Sequence, residues 1–308
     1  MATVFETKGL TVGYRTSAGE ARLFEDLDLE LMSGELVCFM GPNGCGKSTL
    51  IRTLAGLQQP LDGAVPPKDE KLVAIVLTDR IQSQHMTVRE LVAYGRYPYL
   101  GWDLSLSKDD HDRIESAITL VRIEDLLDKK INELSDGQMQ MATIARALAQ
   151  DTPVLLLDEP TAHLDLNNRL EIMNLLRRLA RQKNKSILLA THELDLALQT
   201  ADTIWIASGK KLKRGIPEDL VLDGSFDEVF QFKGYDLKTG KVQHEPYRNR
   251  SVKLIGDGPV FLWTKNALER NGFGVDEISA VEIRIKENEW SVGPHSFTNL
   301  KGLIDSLA

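Results

Sequence analysis

The segment Gly41-Pro42-Asn43-Gly44-Cys45-Gly46-Lys47-Ser48-Thr49 constrains this chain more than any other. It sets one glycine, four residues, then Gly-Lys-Ser, which is the spacing of a phosphate-binding loop. Glycines at 41, 44 and 46 let successive N–H groups turn inward and form a nest for an anion. Lys47 offers an ammonium to the β- and γ-phosphates, and the Ser48 hydroxyl offers a Mg2+ coordination position. The helix that begins near Lys47 aims its positive end at the same charge. In front, Glu35 to Met40 is an apolar run that reads as a buried strand; behind, Thr49 to Leu57, closed by Gly56, reads as a helix. The loop therefore specifies a nucleoside triphosphate and leaves open what its energy drives.

A chain of 308 residues exceeds what one core usually organises, so one large domain and a smaller one are expected. A net charge of -8 argues against a general nucleic-acid surface, which needs a basic stripe. The sequence holds no apolar run of about eighteen residues and no basic flank leading into an apolar N-terminal core, so neither a membrane span nor a secretory signal is expected. Cys38 and Cys45 sit in the strand and its loop and read as reduced cytosolic thiols rather than a disulfide framework.

From Phe5 to Leu31 apolar and polar residues alternate around Gly13 and Ser17-Ala18-Gly19, which reads as a meander of antiparallel strands. Tyr14, on a half-exposed strand end, reads by itself as a packing residue. Lys71 to Leu77 reads as a central strand. Helical period follows over Thr87 to Gly95 and Lys108 to Val121, interrupted by Tyr97-Pro98-Tyr99-Leu100-Gly101-Trp102, whose aromatics suit either a core under a lid or an exposed docking patch. Ser135 with Gln138 makes a capping box for a helix running to about Gln150. Val154 to Leu157 is a fully apolar strand that ends in Asp158-Glu159, and burying it up to paired acids is most simply compensated by Mg2+ at Asp158. Ser186 to Thr191 repeats the form and ends in His192. Ligands of parallel sheets bind beyond the carboxyl ends of strands, so the ends at Met40, Leu157 and Thr191 should deliver a phosphate loop, an acid pair and an imidazole to one edge.

Taken together, Gly41 to Thr49, Leu134-Ser135-Asp136-Gly137-Gln138, Leu157-Asp158-Glu159-Pro160-Thr161, Leu164-Asp165 and His192 resemble the nucleotide-binding subunit of an ABC transporter, over roughly residues 3 to 224. The stretch Thr87 to Pro98 is further similar to the importers that serve iron-siderophore, haem and cobalamin permeases. The resemblance implies an α/β fold: a P-loop ATPase core with an antiparallel β subdomain and a helical subdomain at about 80–150, spanning 1–224, then a small α+β C-terminal domain over 225–308. It implies ATP and Mg2+ as cofactors and assigns roles. Tyr14 would stack on adenine; the loop from Gly41 through Pro42, Asn43, Gly44, Cys45 and Gly46 to Lys47, Ser48 and Thr49 would wrap the phosphates. Ser48 and Asp158 would hold Mg2+, with Thr78 beside them. Glu159 would be the general base and His192 the contact to the γ-phosphate. Ser135, Gly137 and Gln138 of one copy would cap the triphosphate of a second, head-to-tail copy, with Asp165 bridging the two sites. The implied partners are integral membrane permease subunits and, through them, a substrate-binding protein, with the chain peripheral on the inner face of the membrane. A cytosolic remodelling ATPase is the alternative, set apart by the two cassettes that many of those carry in one chain.

Two positions depart from the family. Its usual glutamine after the strand at 73–77 is replaced by Thr78, and Thr78, Gln82 and Gln84 all remain able to take its place. Asp136 stands where glycine is usual; a carboxylate there should repel a γ-phosphate unless it caps the local backbone, which suits Asp in a first turn.

Beyond 225 the pattern reads as strands at 241–245 and 251–255, a helix at 259–271, strands at 280–286 and 289–292, and a helix at 296–307. Gly258-Pro259 and Gly293-Pro294, each followed by a phenylalanine, hint at an internal duplication. His244 and His295 read as solvated. A regulatory, substrate-sensing or dimer-stabilising role is expected of this part.

Overall fold

The computed structural model describes residues 2–17, 19–66, 69–78, 83–232, 235–237, 241–242, 246–286 and 289–307. Gln82 and His244 lie outside them. The chain divides into two compact units, Met1–Gln231 and Phe232–Ala308.

The first unit opens with β1 (Thr3–Glu6), β2 (Lys8–Thr16), β3 (Gly19–Leu27) and β4 (Glu30–Met32), all antiparallel but not a simple meander. β1 pairs with β4, while β2 lies between β3 and a later strand. Next come β5 (Leu36–Met40), α1 (Lys47–Leu54), β6 (Asp62–Ala64), which joins β2, and β7 (Val73–Val76).

α2 (Val88–Ala93), α3 (Lys108–Val121) and α4 (Asp136–Ala149) form the helical part. Each starts at a capping box, Thr87 with Glu90, Ser107 with Asp110 and Ser135 with Gln138, so the sequence itself marks the three N-termini. Between α2 and α3 the aromatics divide between the two expectations. The Arg96 guanidinium lies 3.8 Å over the ring of half-buried Tyr99, whereas Tyr97 stacks on Tyr94 at 5.3 Å in the open and Trp102 is fully exposed.

β8 (Val154–Asp158), α5 (Leu166–Lys183), β9 (Ser186–Ala190), α6 (Leu194–Thr200), β10 (Thr203–Ser208) and β11 (Lys211–Gly215) complete the central sheet, whose order is β11-β10-β5-β9-β8-β7. All its pairings are parallel except β10–β11, and β7, expected to be central, is an edge strand whose alternate residues are only partly buried. Every residue of β5, β8 and β9 is buried, which explains their continuous apolar runs. α7 (Pro217–Leu222) and α8 (Ser225–Phe230) follow. α8 packs on β10 with Phe226 fully buried, so the first unit continues past 224.

The second unit holds β12 (Tyr235–Asp236) and β13 (Lys241–Val242) as a separate pair, then β14 (Ser251–Ile255), α9 (Gly258–Arg270), β15 (Gly274–Val275), β16 (Glu282–Lys286), β17 (Glu289–Val292), β18 (His295–Phe297) and α10 (Leu300–Leu307). Five of the strands form a sheet in the order β15-β14-β16-β17-β18 over a core that includes Leu268, Phe273, Ile283 and Leu303. Among the described residues the hinted duplication does not appear. β12–β13 stands apart, β14 pairs with β16 in parallel, and Gly293 at φ 54° turns β17 into β18, where a helix start was expected.

Candidate functional site

Three neighbouring strands build the site. Ala190 at the end of β9 pairs with Phe39 of β5 on one side and with Asp158 of β8 on the other. The phosphate loop and the acid pair are therefore set on either side of the strand that leads into Thr191 and His192, as the parallel-sheet rule requires.

The loop has the backbone that its glycines permit. Gly44 and Gly46 take φ of 79° and 106°, and α1 begins at Lys47 immediately after. Lys47 is buried, and its Nζ donates to the carbonyls of Gly41 and Pro42 at 3.1 and 3.4 Å. Its other neighbour is Glu159 at 3.9 Å. Tyr14, about half exposed, is held by a 2.5 Å hydrogen bond between its hydroxyl and that of Thr49. That bond anchors the ring's polar tip at the loop helix.

Ser48 donates to one oxygen of Asp158 at 3.0 Å, and Thr78 donates to the other at 3.5 Å. Burial pushes the Asp158 carboxyl above its ordinary range, opposed by the Ser48 hydrogen bond and reinforced by the charge of Glu159. This is an oxygen-only donor set around a carboxylate that is costly to keep ionised, and it fits a hard divalent cation such as Mg2+. Among the described residues no group of three or more His, Cys, Asp or Glu could hold a metal. Gln84 lines the same cleft of about 390 Å3 as Thr78, Asp136, Gln140, Glu159 and His163.

Glu159 lies in the left-handed region at φ 49°, unusual for a residue with a side chain, and its N–H donates to Ala190 O at 2.9 Å. Its carboxylate stands 3.6 Å from His192 Nδ1. Lys47, Glu159 and His192 thus form one cluster. Ser135, Gly137, Gln138 and Asp165 do not join it through hydrogen bonds. Ser135 and Gln138 close their box on each other, and Asp165 caps α5 through the Asn168 N–H at 2.9 Å. Asp136 occupies the first turn of α4. Arg169, Asn168 and Glu193 escaped the sequence reading. Arg169 bonds Leu164 O and the Glu193 carboxylate, and a Cβ added to Gly137 would meet Asn168 at 2.9 Å. No periodicity or motif marks these residues; the one available signal is that Glu193 follows His192 and that Asn168 and Arg169 lie in the first turn of the helix that Asp165 opens.

A phosphate loop, an acid pair led by buried Asp158, and a histidine on adjacent parallel strands, with a capped helix in a separate helical part, define a nucleotide-hydrolysing cassette. The comparisons agree. The ABC transporter family matches residues 24–162, and the iron ABC transporter C-terminal domain matches 249–308. An uncharacterised ABC transporter ATP-binding protein of Methanocaldococcus jannaschii is 37% identical over 88% of this chain and 98% of its own length. The iron(3+)-hydroxamate import ATP-binding protein of Bacillus subtilis is 33% identical over 82% of this chain and 94% of its own length. Among solved structures, a metal-chelate type ABC transporter in an inward-facing conformation superposes with a TM-score of 0.67 at 25% identity, covering 75% of this chain and 90% of that one. A dimeric post-hydrolysis cassette bound to ADP and Pi gives 0.61 at 25% identity, over 69% and 98%. The chain belongs to the ABC transporter ATP-binding proteins. It is an ATPase.

Proposed function

We propose that this chain is the motor of an importer for iron chelates of the siderophore class or for related haem or cobalamin-type cargo. Relatives named for petrobactin import in Bacillus anthracis and iron(3+)-hydroxamate import in Bacillus subtilis, together with the match at 249–308, support the cargo class. The observation that carries the motor reading is the cluster of Lys47, Glu159 and His192 beside the Ser48–Asp158 pair.

In this reading Tyr14 stacks on adenine, and the amides of Asn43 to Thr49 with the Lys47 ammonium hold the phosphates. Mg2+, held by Ser48 and Asp158 with Thr78 beside them, would neutralise phosphate charge. Glu159 takes a proton from the attacking water as its oxygen bonds to the γ-phosphorus; the bond to the β-phosphate oxygen breaks, and ADP and phosphate leave. His192 holds the γ-phosphate in line. Ser135 is exposed and, among the described residues, bonds within its own helix, which leaves it able to cap the triphosphate of a second, head-to-tail copy, with Gly137, Gln138 and Asp165 at the same junction.

No helix among the described residues is long and apolar enough to cross a membrane. The chain acts through integral permease subunits and, through them, a substrate-binding protein, peripherally at the inner face of the membrane. Closure of the pair on ATP and its reopening after hydrolysis bias the permease between two states. Residues 1–231 are the cassette, and 232–308 are an accessory domain for regulation, sensing or dimer stabilisation.

Glu159→Gln with Mg2+ and ATP should accumulate as a dimer and hydrolyse slowly. A strictly monomeric Glu159→Gln protein, or one with parental turnover, would falsify the arrangement. Loss of iron-chelate uptake on deleting the gene tests the cargo.

A further inference from the structure

The turn between β8 and α5 carries two non-glycine residues in the left-handed region, Glu159 at φ 49° and His163 at φ 63°. Each costs on the order of 1 kcal/mol, so the surroundings must hold the turn in place. At its start the Glu159 N–H is tied to Ala190 O at 2.9 Å. At its end Arg169 Nε donates to Leu164 O at 2.6 Å.

The same guanidinium reaches further. Its Nη1 lies 2.8 and 2.9 Å from the two carboxylate oxygens of Glu193, the residue after His192. Glu193 is well shielded, with 16% of its side chain exposed, and a charge-assisted contact there is stronger than one at an open surface. One Glu193 oxygen also stands 3.6 Å from His192 Nε2, while Glu159 stands 3.6 Å from Nδ1 on the other side of the ring. Two carboxylates thus compete for one imidazole, and Arg169 engages the one that is not the general base. One position earlier, Asn168 is fixed by Asp165 at 2.8 and 2.9 Å and closes on the backbone of Gly137.

We propose that Arg169 is a positioning residue for ATP hydrolysis, tying the strained turn at 159–164 to the carboxylate beside His192. The general base, the γ-phosphate contact and Asp165 then keep one relative arrangement. This rests on the roles assigned above to Glu159 and His192. Without the guanidinium, Glu193 is released toward His192, the Leu164 carbonyl loses its donor, and the turn can relax. A misplacement of about 1 Å in such a constellation costs on the order of a hundredfold in rate. An ion pair with a structural role alone would instead lower stability slightly and leave turnover untouched.

The test uses full-length Arg169→Met, which keeps the apolar stem, with Arg169→Lys, Glu193→Gln and the double variant Arg169→Met/Glu193→Gln. For Arg169→Met, kcat should fall about tenfold or more while KM and ATP affinity stay within about twofold, and Arg169→Lys should recover part of the loss. The double variant should be no slower than the slower single, because both remove one interaction. A kcat within about twofold of the parent, or losses in the two singles that simply add, would overturn the proposal. So would a rate loss that follows a lowered melting temperature or weakened ATP binding. If Arg169→Met does not fold, Glu193→Gln keeps the Arg169–Leu164 bond and carries the same kcat-against-KM comparison. A parent lacking Glu159-dependent turnover defeats the reading of the site itself. A competent parent with an unaffected Arg169→Met defeats the coupling alone.

Discussion

Ser48 and Asp158, 110 positions apart in the chain, are joined by a hydrogen bond of 3.0 Å. It closes the phosphate loop against the end of β8. Because burial raises the Asp158 carboxyl above 3.8, the folded chain binds its proton more tightly than the unfolded one. The penalty for ionising it is absent at pH below 3.8 and grows as pH climbs above that value through the raised folded one. In nucleotide-free protein at pH 7, Asp158→Asn should therefore raise the melting temperature while abolishing Mg2+-dependent turnover. A variant that melts lower than the parent at neutral pH and higher in acid would reverse the sign and sink the account. Such an exchange of stability for function is common at sites built around strained or buried charge.

Cys45 gives an independent report on the loop. Burial pushes its thiol above the ordinary range, against the pull of Lys47, so it should react slowly with maleimide at pH 7 and faster as pH rises through and beyond 9. ATP should protect it and labelling should block binding; equal labelling with and without ATP would contradict its place at the phosphates. Cys38, fully buried in β5 with a thiol pushed up to about 12, should stay unlabelled in the native fold.

Most of the candidate site was legible in the sequence because the groups that meet at the sheet edge are local in the chain. Gly41 to Ser48 and the Asp158-Glu159 pair each sit at the end of an unbroken apolar run, and a run buried on both faces can end at a sheet edge in few ways. The capping box at Ser135 marked a helix start for the same reason, and those at Thr87 and Ser107, not singled out in the sequence, turn out to mark two more. What stayed hidden depends on the fold. Arg169 reaches Glu193 only because β9 lies beside β8, and nothing in the spacing of 169 and 193 signals it. α7 and α8 are six residues each, too short for a helical period to register, and β18 is a three-residue strand that tertiary pairing with β17 makes possible.

α8 makes the domain boundary testable. Phe226 is fully buried and stacks with Phe230 at 6.0 Å. A chain ending after residue 224 loses both rings, and losing one buried phenylalanine costs on the order of 3 kcal/mol or more. A chain ending after Gln231 keeps them. The longer form should thus melt well above the shorter and retain ATP binding; equal melting temperatures would show that α8 does not belong to the cassette.

The helical part should carry an acid-sensitive element. The Ser107 hydroxyl donates to Asp110 at 2.5 Å and the buried Arg96 guanidinium at 2.7 Å, and these hold the Asp110 carboxyl down to about 2 from 3.8. Arg96 also donates to Ala149 O at 3.0 Å, so the pair fastens the turn after α2 to both α3 and α4. Because the folded value lies below the unfolded one, the stabilisation is present above 3.8 and is lost as pH falls from there toward about 2. Asp110→Asn should destabilise the cassette by about 2 kcal/mol at pH 7, partly because Arg96 is left buried without its counter-charge. The deficit should shrink as pH is lowered through 4 and 3. Denaturant titrations of parent and variant across that range decide it: a deficit that does not change with pH would mean that Asp110 acts by shape and hydrogen bonding and not through its charge.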